Sequence, residues 1–93
     1  MKLYFLNECL GEIRNINVEG SWVNGRIIFN KNIKKFMNFF EAIVDEENEF
    51  VEENFCEEWL DDSNWYILDE ENRKKEIYIP AVYLDGDIYW RWR

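Results

Sequence analysis

The sequence has no histidine, one proline, four glycines and two cysteines. Without histidine there is no Ser-His or Cys-His pair to make a nucleophile, and no imidazole to complete a metal set with Cys9 or Cys56. The two cysteines stand far apart, outside any CxxC spacing, and read as small buried hydrophobes kept reduced. Gly11, Gly20, Gly25 and Gly86 are isolated, so no glycine-rich phosphate loop is formed. Asp85-Gly86-Asp87 lacks the spacing of an EF-hand loop. No stretch approaches the roughly 18 apolar residues of a membrane span. Asn7 and Glu8 break the opening apolar run too early for a secretory leader. These absences point to a cytoplasmic protein with no cofactor, no metal site and no catalytic set.

Basic residues are missing where acids are densest. Between Phe36 and Asn72 there are fourteen Asp and Glu and no Lys or Arg, within a net charge of −9. Such a chain repels phosphate backbones and anionic membranes, which argues against direct nucleic-acid or membrane binding. The natural complement is a basic protein surface. With 47% apolar and 18% aromatic residues, the 93-residue chain is a folded protein and reads as one domain over 1–93.

Residues 45–62 organise the expectation. Read as a helix, they put Val51, Phe55 and Trp59 on one stripe with Cys56 and Leu60 beside it, and Glu49, Glu53, Glu57 and Asp61 on the other. Like charges at this spacing cost about 0.2–0.5 kcal/mol per pair. Glu57, Glu58, Asp61 and Asp62 would also crowd a helix C-terminus that prefers cations. A segment that gives up stability to hold a negative face is a candidate docking surface. The alternative is a solvated face on an acidic domain.

Around it, Asn24-Gly25 is the strongest short hairpin signal, pairing Trp22 with Ile27 and burying Val18, Trp22, Ile27 and Phe29 on one face. Asn30 or Asn32 can cap a helix carrying Ile33, Phe36, Met37, Phe40, Ile43 and Val44. The C-terminal third reads as a three-stranded meander. Its last loop, over 84–87, opposes Tyr83 to Ile88, Ala81 to Trp90 and Ile79 to Trp92. Pro80 needs a position without a ladder donor, or an edge strand. The fold class expected is therefore α+β: an antiparallel sheet, made of an N-terminal hairpin and a C-terminal meander, with one or two central helices packed on one face.

Trp90-Arg91-Trp92-Arg93 fits either a base-stacking platform or a strand with Trp inward and Arg outward, and the net charge favours the strand. Phe39, Phe50, Tyr66, Tyr78 and Tyr89 fall off the expected core stripes, as interface hot spots in a polar rim do.

In its whole-chain character, short, acidic, aromatic-rich and without a catalytic set, the protein resembles the small immunity proteins of bacterial toxin-immunity systems. It is also similar in type to phage-encoded inhibitors that mimic nucleic acid. The likeness covers composition and layout and carries no family motif. It implies stoichiometric binding of a basic toxin, such as a nuclease, or of a host defence enzyme. Glu49, Glu53, Glu57, Glu58, Asp61 and Asp62 would then steer and pair with the partner, while Phe50 and Trp59 supply buried area. A divalent-metal-binding module and a homodimer joined through an edge strand at 87–93 are the remaining readings.

Overall fold

Seven antiparallel strands carry most of the regular structure in the computed structural model, which describes residues 1–93 except Glu46, Asn48, Glu49, Glu52 and Asn54. The strands are β1 (Lys2–Phe5), β2 (Glu8–Glu19), β3 (Trp22–Phe29), β4 (Trp65–Leu68), β5 (Lys74–Glu76), β6 (Ala81–Val82) and β7 (Asp87–Trp90). Their order in the sheet is β5-β4-β1-β2-β3-β7-β6. One short α-helix, α1 (Met37–Val44), follows a 3-10 stretch, Lys31–Phe36, and is the only α-helix among the described residues. The expected α+β arrangement, with one or two central helices packed on one face of the sheet, is thus replaced by a seven-stranded sheet with one short helix.

The two outer strands of that order are the two ends of one extended run. Glu76 pairs with Tyr66 of β4 on one side, and its carbonyl accepts the Arg93 N–H at 3.1 Å on the other. Ile77 bridges Trp92, Tyr78 N–H reaches the Arg91 carbonyl at 3.0 Å, and β6 pairs with β7. The sheet therefore curls until its edges meet, which removes open edges. β7 lies between β3 and β6, so the segment 87–93 is not the free edge that strand-to-strand dimerisation needs.

Alternation along the strands fills the interior. Leu3 and Phe5, Val23 and Ile27, Trp65 and Ile67, and Ile88 and Trp90 are all buried. Gly25, between Val23 and Ile27, is buried in mid-strand: a Cβ there would lie 2.8 Å from the Arg14 carbonyl oxygen and 3.0 Å from Ile13 Cγ2. The Asn24-Gly25 turn does not form. The chain reverses at Gly20-Ser21 instead, where Gly20 takes φ +63° as the first residue of a two-residue loop. Val18 (68% exposed) and Trp22 (46% exposed) consequently face solvent, and Val23 takes the interior place assigned to Trp22.

The last loop is one residue shorter than expected. Tyr83 N–H reaches the Asp87 carbonyl at 2.8 Å, Gly86 takes φ +103°, and Val82 opposes Ile88. A one-residue slip exchanges the faces of a strand, so Tyr83 points outward and joins Tyr89 on the outer face. Between Ile77 and Ala81 the strand carries one residue more than its partner, a bulge containing the buried Pro80. That bulge answers the missing proline donor.

Asn30 caps the 3-10 stretch, its Oδ1 accepting Asn32 N–H at 2.9 Å, while both Asn30 and Asn32 side chains donate to the Cys9 carbonyl. This fixes the approach of Phe36, Phe39 and Phe40 to the sheet, where all three are fully buried. Phe39 belongs to the core and not to an exposed hot spot. The cysteines depart from expectation in the other direction: Cys9 is half-buried and Cys56 exposed.

An acidic excursion beside an apolar cleft

Residues 45–61 link α1 to the 3-10 turn Asp62–Asn64 without any α-helix among the described residues. Asp side chains compete for the backbone donors a helix would use. Asp45 Oδ1 accepts Glu47 N–H at 2.9 Å, and Asp61 Oδ1 accepts Ser63 N–H at 3.0 Å. Added to like-charge repulsion at helical spacing, these turns favour an irregular path. Its rings still find the core: Phe50 and Phe55 stack with centroids 5.5 Å apart, and both meet Phe39 edge-on. Trp59 packs on Phe36 at 4.9 Å, and its carbonyl accepts the Trp65 indole N–H at 2.8 Å.

The expected site residues separate into distinct roles. Glu49 lies outside the described residues. Phe50 and Trp59 are half-buried against the core, so they support the excursion and do not project from it. Asp61 caps the turn before β4. Hydrogen bonds from the Ser63 hydroxyl at 2.6 Å and then from its N–H hold the Asp61 carboxyl below the usual range, with a smaller contribution from Arg93. Asp62 Oδ1 accepts the Ile79 N–H at 2.8 Å.

Glu53, Glu57 and Glu58 are exposed and take part in no ion pair among the described residues. Ion pairs seen among the described residues include those on Glu8, Glu12, Asp69, Glu71, Glu76 and Asp87. Other cations meet rings: Arg91 lies 5.1 Å from the Trp22 ring and 5.0 Å from that of Tyr78, and Lys74 lies 4.6 Å from that of Tyr66. Most bases are thus engaged locally, away from the excursion, and these three carboxylates are left for solvent or a partner.

Two concavities flank them. An apolar cleft of about 270 Å³ is lined by Phe39, Ile43, Phe50, Leu60 and Ile79. A second, of about 360 Å³, is lined by Glu53, Phe55, Glu57 and Leu60. Leu60 belongs to both. The apolar cleft is not legible in the sequence because its walls come from α1, the excursion and the β5–β6 bulge, which only the closed sheet brings together. The one hint of it is Leu60, beside the aromatic stripe. Trp90 is buried while Trp92 is 39% exposed, so only the first of the terminal pair points inward.

Among the described residues no group of three or more Cys, Asp or Glu side chains is placed to hold a metal ion, and no helix is long and apolar enough to cross a membrane. No protein-family model, curated protein or solved structure matches this chain.

Proposed function

We propose that this protein is a stoichiometric inhibitor that binds a basic protein partner, in the manner of an immunity protein neutralising a cationic toxin such as a nuclease. The observation that carries the proposal is the set Glu53, Glu57 and Glu58, exposed and without an ion pair among the described residues, where other acids such as Glu8, Asp69 and Asp87 are paired. Uncompensated carboxylates on an irregular segment accelerate encounter with a cationic surface and pair with its Lys and Arg on docking. Nothing in this role calls for catalysis or a cofactor, and a cytoplasmic setting with reduced Cys9 and Cys56 belongs to the same proposal. The even carboxylate ladder of a helix, which would copy a phosphate backbone, is not formed by the described residues of the excursion. Pairing with the basic surface of a toxin is therefore favoured over mimicry of nucleic acid towards a host enzyme.

Capture from the native host's lysate tests the proposal, with tagged wild-type protein and the variant Glu53→Lys/Glu57→Lys/Glu58→Lys washed at low and then high salt. The expected result is one basic protein retained by the wild type at low salt, weakened by high salt and lost with the variant. Equal retention by both proteins would remove these carboxylates from the interface.

A further inference from the structure

We infer that the apolar cleft between α1 and the excursion is the seat for one apolar side chain of the partner, presented on a segment whose flanking Lys or Arg pairs with Glu53 and Glu57. This inference rests on the acidic-surface reading above and adds to it the anchor.

At about 270 Å³ the cleft has room for a side chain. Its walls are Phe39, Ile43, Phe50, Leu60 and Ile79, so among the described residues no charged group lines it. Two walls are held from behind. The Phe39 ring is packed edge-on against Phe50 and Phe55, and the Ile79 backbone is tied to Asp62 Oδ1 at 2.8 Å. A third, Leu60, is fixed by the turn in which its N–H reaches the Glu57 carbonyl at 3.1 Å.

Charge complementarity selects the occupant. Across Leu60 the apolar cleft adjoins the one containing Glu53 and Glu57, neither of which forms an ion pair among the described residues. A residue inserted beside Ile43 and Ile79 therefore has carboxylates next to it, where a cation on the same segment can reach them. An apolar anchor ringed by polar pairs is how hot spots are arranged in protein interfaces. The same rim disfavours an acidic partner, whose flanking carboxylates would face Glu53 and Glu57.

Two probe peptides test the inference by NMR titration at low salt: a short Lys- and Arg-rich peptide with one central leucine, and the same peptide with glycine at the centre. The expected result is binding of the leucine peptide roughly tenfold tighter, as burial of one aliphatic side chain implies. Shifts should appear in the Ile43, Leu60 and Ile79 methyl and Phe50 ring signals. Ile43→Trp, which fills the cleft, should erase the preference while leaving the glycine peptide's affinity unchanged. Ile43→Asn, which makes one wall polar, should reduce the preference, and circular dichroism checks that each variant is folded. Equal affinity for both peptides, without shifts in the cleft, would overturn the anchor and leave the acidic surface standing. Failure of both peptides to bind would overturn the acidic-surface reading as well.

Discussion

Asp62 Oδ1 accepts the backbone N–H of Ile79 at 2.8 Å, joining the turn that follows the acidic excursion to the bulge containing Pro80. The bulge shifts the register between β5 and β6, so the Ile79 donor meets this carboxylate and not a strand carbonyl. Asp62→Ala leaves that donor unsatisfied and should cost about 1–3 kcal/mol in chemical denaturation. Asp62→Asn, which keeps an acceptor, should cost less. Asp62 is therefore a positioning residue, and reversing its charge would confuse loss of binding with loss of structure.

Gly20 and Gly25 should respond oppositely to asparagine. Gly20 has φ +63°, a conformation asparagine tolerates, and a Cβ placed there would meet nothing within 4 Å. Gly25 lies in β3 against the Arg14 carbonyl, where any Cβ forces backbone apart. Thermal denaturation should show Gly20→Asn within about 1 kcal/mol of wild type and Gly25→Asn destabilised by about 1–3 kcal/mol. A turn at Asn24-Gly25 would predict the reverse order.

That contrast shows where the sequence was legible. Strand positions with strong alternation, such as Trp65 and Ile67, and the Asn30 cap follow from local chemistry. Asn24-Gly25 has the residues of a tight turn, but Gly25 is needed for close backbone approach, and composition cannot tell those demands apart. Likewise, Val51, Phe55 and Trp59 have helical spacing, yet the rings of Phe36 and Phe39 offered those of Phe55 and Trp59 a place without a helix. The bases that pair elsewhere, such as Lys35 with Glu8 and Arg26 with Asp87, meet their acids only in the folded chain, which leaves Glu53, Glu57 and Glu58 without an ion pair among the described residues.

Asp69 links stability to pH. Its carboxylate accepts the Arg73 and Glu71 N–H groups at 2.9 Å and Arg73 Nε at 3.0 Å, and these bonds, the Arg73 N–H first, hold it below the ordinary carboxylate range. A folded-state pKa depressed below the unfolded value of about 3.9 gives stability that is fully present above that value and is lost as pH falls through the folded pKa. Urea denaturation across acidic pH should show this loss in wild type. Asp69→Asn should be less stable at neutral pH and show a shallower decline on acidification.

Trp59 should behave as a core residue. It packs on Phe36, Phe39 and Phe55 with centroids 4.9, 5.6 and 6.4 Å away. Trp59→Ala should lower stability by about 2–4 kcal/mol in denaturant, and Trp59→Phe by less than about 1.5 kcal/mol.

The most direct measurement is calorimetric titration of the captured basic partner into wild type and Glu53→Lys/Glu57→Lys/Glu58→Lys at two salt concentrations. With no ion pairs to lose among the described residues, the three positions should accept reversal with little change in thermal stability. Affinity should fall by at least roughly tenfold, and the wild type's salt dependence should largely vanish. Equal affinity and equal salt dependence in the two folded proteins would contradict a role for the excursion in binding.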